Sequence, residues 1–244
     1  MTTQFKYAEL GLKHLEKILQ VNEPVMNRLV ERLVHDVEEG KSLLIFGSGH
    51  SAIFPLELYH RAGGASFVIP LVGEYLMPTA GPSVIRVLER TPGVSVPLLL
   101  RAEPKPGEMV WIASQSGINA ASVDMAIKAK EMGLFTVAFT SVVHSQCVSS
   151  RHPSGKRLFE ICDLVVDLGG RVGDALVPLQ DDLFAGPVST LGSVFLGHSI
   201  VVEAIRKLET KGNRCVYTSV NTPTGEARNR AIEALAAKRD PLLR

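Results

Sequence analysis

Met109 to Ser122 read MVWIASQSGINAAS. Met109–Ala113 is a short apolar run, the length of a buried parallel strand. Ser114, Gln115, Ser116 and Gly117 follow with no spacer. Helical spacing then holds to Met132 through Ala120, Val123, Ala126, Ile127 and Ala129, and Gly133 closes it as a C′ residue. A strand therefore ends in hydroxyls and a glycine where a helix begins. Free backbone N–H groups and the positive end of the helix dipole make that junction an anion site. Ser114 and Ser116 add donors, and Gly117 lets the backbone approach a ligand.

Serines also cap helices with no ligand involved. A second junction of the same design favours the ligand reading. Residues 42–46 (SLLIF) are strand-like and end in Gly47-Ser48-Gly49-His50-Ser51, with a helical segment from about Ala52.

The length, 244 residues, suits one α/β domain with helical additions: helices over 1–40, a core over 41–210 and an extension over 211–244. Apolar residues are 45% and charged residues 21%, enough for a sizeable core. Net charge is +1, with 26 basic and 25 acidic residues and no basic block, so the footprint of a nucleic-acid binder is missing. The polar N-terminus gives no signal peptide, and no apolar run is long enough to span a membrane. Cys147, Cys162 and Cys215 fit free thiols in a reducing compartment, so a cytoplasmic protein is expected. No Cys or His pair has zinc spacing, and neither metal nor cofactor is expected.

Along the chain, periodicity predicts helices over 7–19 and 25–39, separated at Pro24. A helix over 52–62 stops at Gly63-Gly64; a strand follows at 66–71 and a helix at 81–90. Four prolines make 91–107 a loop with a short strand at 94–100. Strands are expected at 136–140 and Leu164–Asp167, with an irregular polar segment at 141–156 and a loop over 169–187. A long helix over 189–209, a small strand at 216–220 and a helix over 225–238 complete the chain. Alternating strands and helices argue for a parallel sheet covered on both faces, with ligands beyond the strands' carboxyl ends. Both serine turns lie at such ends and are expected to flank one pocket.

A dinucleotide fingerprint is incomplete: the third glycine of the pattern falls on Ala52, and no acid ends the second strand. No Gly-Lys-Ser/Thr occurs, which excludes a P-loop. Two hydroxyl-rich turns suit a compact monophosphate.

Gly49-His50-Ser51 and Ser114-Gln115-Ser116-Gly117, with Asn119 where threonine is common, resemble the two phosphate turns of the SIS (sugar isomerase) domain family. The resemblance covers roughly Gly40 to Glu209. A closer resemblance is to the UPF0309, phosphoheptose-isomerase-like subgroup. Its marks are Arg61-Ala62-Gly63-Gly64, Thr140-Ser141 with His144-Ser145, Ser154-Gly155-Lys156-Arg157-Leu158, Gly173-Asp174-Ala175 and Ser189-Thr190. The resemblance implies a three-layer, doubly wound, flavodoxin-like sheet of about five parallel strands with an N-terminal helical extension. It implies a sugar phosphate as ligand, held by Gly49, His50, Ser51, Ser114, Gln115, Ser116, Gly117 and Asn119. It also implies a homodimer or homotetramer with sites near subunit boundaries.

Aldose–ketose isomerisation needs a base near C2 and an assisting acid. The resemblance implies a glutamate base on the helix after the first turn and a histidine on a late helix. Glu57 and His60, three apart and so on one helical face, are the first candidates; His198 is the late one. The position about ten residues beyond the first-turn serine, where the family commonly has its glutamate, is Arg61, one turn after Glu57. The expectation is an isomerase with Glu57 as base and His198 or His60 assisting. An etherase or lyase on an amino-sugar phosphate and a sensor without chemistry are the alternatives. Each candidate also has a plain structural role open to it: Glu57 as a solvated helix residue, His60 as a packing residue, His198 as a core histidine.

Overall fold

The computed structural model describes residues 4–243; residues 1–3 and 244 of the expected chain span lie outside it. In chain order the elements are α1 (Lys6–Glu38), β1 (Leu43–Gly47), α2 (Ile53–Leu58), β2 (Val68–Leu71), α3 (Pro82–Leu88), α4 (Val96–Arg101), β3 (Met109–Ala113) and α5 (Ala120–Glu131). There follow β4 (Phe135–Thr140), α6 (Val142–Gln146), α7 (Leu158–Ile161), β5 (Leu164–Asp167), β6 (Ala175–Pro178), β7 (Phe184–Pro187), α8 (Ser189–Thr210) and α9 (Gly225–Ala236).

β1 to β5 form one parallel sheet in the order β2-β1-β3-β4-β5, the expected doubly wound architecture. Alternate residues feed two cores. Leu43, Ile45, Met109, Trp111, Val137 and Phe139 face α1, α2 and α8. Leu44, Phe46, Val110, Ile112 and Ala138 face α4, α5 and α7. Burial on both faces is why β1 and β3 read as unbroken apolar runs. Phe54 of α2 lies against Trp111 and Phe139, with ring centroids 6.2 and 4.9 Å away, so α2 is locked over the sheet centre. Fully burying each such aromatic contributes roughly 1.5–3 kcal/mol.

Several local expectations are corrected. The two N-terminal helices are one, α1, which runs through Pro24. Pro24 and Gln20 are solvent-exposed, so water can satisfy the carbonyl that the proline leaves without a donor, while Met26, Leu29, Val30 and Leu33 hold the other face on the core. Residues 94–100 contain the helix α4 rather than a strand, because Leu98 and Leu99 pack into the core beneath α5. The helix over 52–62 is a 3-10 turn (Gly49–Ala52) followed by α2, which stops at Leu58. The segments read as irregular at 141–156 and as loop at 169–187 contain α6 and the β6–β7 hairpin.

Each border of the sheet has a partner at one end. Asn22 of α1 donates to the Asp167 carbonyl and accepts from the Asp167 amide, both at 2.8 Å, at the end of β5. On the β2 side the expected strand at 216–220 reduces to a bridge, Val216 to Ala65, with Ser66 N–H donating to the Cys215 carbonyl at 2.8 Å. The C-terminal extension is tied down by a buried ion pair: Arg239 donates to both oxygens of Glu108, at 2.8 and 2.9 Å. The three cysteines are unpaired. No described helix is long and apolar enough to cross a membrane.

Candidate phosphate and acid–base site

The strand order reverses between β1 and β3, and the two serine turns leave those two strands side by side. Gly47, last in β1, is in register with Ala113, last in β3. In open α/β sheets this is the crevice where ligands bind.

The second turn is built so that its carbonyls point away. The Gln115 carbonyl accepts from Ser141 N–H at 3.1 Å, that of Gly117 from Leu158 N–H at 2.8 Å, and that of Ile118 from Arg151 N–H at 2.9 Å. Among the described residues no acceptor takes the amides of Ser116, Ile118, Asn119 or Ala120. Those amides sit at the N-terminus of the 12-residue α5, where the dipole favours an anion. Ser114 closes the turn, its Oγ accepting from Gly117 N–H at 3.2 Å. Gly117 has φ +62°, and a Cβ there would meet Thr140 Oγ1 at 3.0 Å and Ser145 Oγ at 3.2 Å.

Simple capping does not account for these residues. Asn119 and Ser48 occupy N-cap positions, yet neither side chain makes a cap bond. Asn119 instead accepts from Arg151 Nη1 at 3.1 Å and hydrogen-bonds Glu89. Glu89 also reaches the first turn, its Oε2 lying 3.8 Å from where a Gly49 Cβ would stand. The Glu89 carboxylate thus lies near both turns, while its backbone carbonyl accepts from Ala121 N–H of α5 at 3.0 Å. Nothing in the sequence marks Glu89, which reads as one charge in a polar helix end.

Burial raises the Glu89 carboxyl above its ordinary range, against the pull of Arg90, Arg151 and the Asn119 bond. The folded chain therefore holds more protons than the unfolded one from the ordinary carboxyl range up to the raised value, and stability falls as pH rises through that window. Glu89→Gln is expected to raise Tm at pH 7–8 and to leave it unchanged near pH 4. Thermal melts across that range check it; a lower Tm at pH 8 contradicts it.

On α2, Glu57 Oε1 lies 3.5 Å from His198 Nε2 of α8 and is also paired with Arg61 Nη1. The two helices approach closely because Gly197 has no side chain; a Cβ there would stand 2.4 Å from the Phe54 ring. Glu57 and His198 are each about one-third exposed, 34% and 31%, so both can meet a ligand. The face expected to join Glu57 and His60 does not form. α2 ends at Leu58, Tyr59 turns extended to bridge Ala65, and His60 takes φ +37°. His60 Nε2 lies 3.2 Å from Glu233 Oε1 of α9, with its ring 4.6 Å from Tyr217. His50 is exposed on the first turn, and Ser51 and Ser116 are half-buried.

Two of the motif pairs prove to be parts of one device. Asp174 caps α8, accepting from Ser189 N–H at 2.9 Å and Ser189 Oγ at 2.7 Å. The segment that clasps the second turn is fastened to α5 by His152 Nε2 and Asp124 Oδ1 at 2.9 Å. Among the described residues no group of three or more His, Cys, Asp or Glu is arranged to hold a metal ion.

A family model described as SIS domain matches residues 6–141, more than half of the chain and both turns. The chain belongs to the SIS domain family. It is 37% identical to a UPF0309 protein of Shouchella clausii over 93% of this chain and 94% of that one. To a UPF0309 protein of Listeria monocytogenes it is 31% identical over 97% of each. In fold this SIS domain is similar to a phosphoheptose isomerase from Francisella tularensis, with TM-score 0.53 and 14% identity over 84% of this chain and 100% of that one. It is also similar in fold to the Vibrio vulnificus NanR protein complexed with ManNAc-6P, with TM-score 0.51 and 13% identity over 95% of this chain and 68% of that one.

Proposed function

We propose that this SIS domain binds a sugar phosphate between its two serine turns and interconverts aldose and ketose forms. The observation that carries the reading is the pairing of an anion site, at the sheet's switch point, with Glu57, on the helix that leaves the first turn, beside His198 of α8. In this reading Ser51, Ser116, Asn119 and the α5 amides take the phosphate, with Gly49 and Gly117 giving the backbone room. His50 and Gln115 border the ligand. Glu57 takes the proton from C2, leaving an enediol, and returns it at C1. His198 relays the proton between the two sugar oxygens. Arg61 orients the Glu57 carboxylate.

Thermal shift with inorganic phosphate and a panel of aldose and ketose phosphates tests the binding. Saturating ligand should stabilise by about 2.7 kcal/mol at a hundredfold excess over Kd. Product analysis separates the chemistry: a ketose supports isomerisation, a released lactate or water an etherase or lyase, and binding without turnover a sensor. No stabilisation by any phosphate ester sinks the reading.

The outer faces of α2 and α8 carry exposed Ile53, Leu56, Leu191 and Val202 beside this site. We propose that a homodimer or homotetramer covers them. Light scattering after size exclusion checks this, and a monomer at micromolar concentration contradicts it.

A further inference from the structure

His14 of α1 is 8% exposed, and its Nε2 has no hydrogen-bond partner. Both polar atoms of the Gln115 amide, in the second serine turn, are likewise buried and unpartnered. The two side chains, one from α1 and one from the turn after β3, approach the same glycine. The bare side of Gly170 has His14 Cε1 at 3.8 Å and Gln115 Nε2 at 3.9 Å from where a Cβ would stand. Gly169, next to it, has His14 Cε1 at 3.6 Å from the same position. Both glycines are left-handed, φ +57° and +85°, and follow β5, so the spot lies at the carboxyl end of the sheet.

Buried polar groups in folded chains are almost always bonded, and a cluster of orphans needs an occupant. The chemistry of these orphans specifies it. The imidazole bonds the Leu168 backbone with its other nitrogen, and burial holds its pKa below the ordinary histidine value, which favours the neutral ring. Its Nε2 is therefore an acceptor that wants an O–H or N–H. The Gln115 amide offers a donor and an acceptor. A neutral hydroxyl, which donates once and accepts once, satisfies His14 Nε2 and Gln115 Nε2 together. A fully ionised phosphate ester does not, since it has no proton for the imidazole.

We infer that His14 and Gln115 form a hydroxyl subsite beside the second serine turn, taking a neutral sugar or polyol hydroxyl of the same ligand whose phosphate the turn holds. The inference rests on the phosphosugar reading and assigns α1, otherwise a packing helix, a part in ligand selection. A trapped water has the same hydrogen-bonding chemistry, so the test must separate the two sources.

The probes are inorganic phosphate and sorbitol 6-phosphate, which carries the hydroxyls and cannot isomerise. Titration calorimetry on the full chain compares wild type with His14→Phe and, in case that variant fails to fold, His14→Met. Loss of one well-made hydrogen bond should weaken sorbitol 6-phosphate about tenfold and leave inorganic phosphate within about twofold. Equal weakening of both probes, or of neither, overturns the subsite. A variant that changes the ligand-free Tm while the ratio of the two affinities stays fixed means a structural water, and also overturns it. If inorganic phosphate fails to bind wild type, the phosphosugar reading falls and this inference with it; if phosphate binds and the ratio ignores both substitutions, only the subsite falls.

Discussion

Glu57→Gln is expected to bind sugar phosphate as wild type does and to turn it over about a thousandfold more slowly. Removing a positioned general base typically slows a reaction by about 10²–10⁴-fold, and the amide has the same shape without the basic oxygen. Binding survives because the serine turns and the α5 amides do not involve Glu57. His198→Asn should give a smaller loss, since it removes the relay and leaves the base. Isomerisation can be followed by exchange of solvent deuterium into the sugar, alongside calorimetric Kd values. Equal exchange rates in wild type and Glu57→Gln remove Glu57 from the mechanism, whatever His198 does.

Gly47→Ala is expected to remove phosphate binding and to destabilise the fold by about 2–3 kcal/mol, at the upper end of what overpacking usually costs. Gly47 is not left-handed; its role is steric. The first turn folds back over the end of β1, and a Cβ at Gly47 would stand 2.1 Å from the Ser51 carbonyl oxygen and 2.4 Å from its carbon. Backbone, unlike a flexible side-chain tip, has nowhere to yield, so the turn carrying Ser51 must move. Denaturant unfolding and phosphate titration of the variant check both halves. A variant that binds phosphate normally would show that Ser51 can shift without consequence.

The parallel strands could be read from the sequence because each is a short apolar run with a punctuating turn, and the two serine turns because both carry the same residue types after such a run. Glu57 and His198 were nameable only through the family resemblance; what brings them together is Gly197 resting on Phe54, a contact between distant segments. Pro24 misled because the local rule against proline in helices ignores which face is wet. Residues 94–100 misled because prolines and apolar residues read alike in a short helix and a short strand, and only the packing of Leu98 and Leu99 chooses. Glu89 and His14 were invisible because neither lies in a motif. The tertiary fold alone sets one near both turns and buries the other beside Gln115.

The partners at the two borders of the sheet have a consequence for how copies of this chain can meet. A parallel sheet with a bare outer strand offers a template on which a foreign chain can lay down another strand, and so a route to fibrils. Here a single asparagine imitates the rung of a ladder at one border, and the segment around Val216 lies across the other. Each contact takes up main-chain groups that such pairing would use, which favours association through the side-chain surfaces of the outer helices, where partners are chosen by shape.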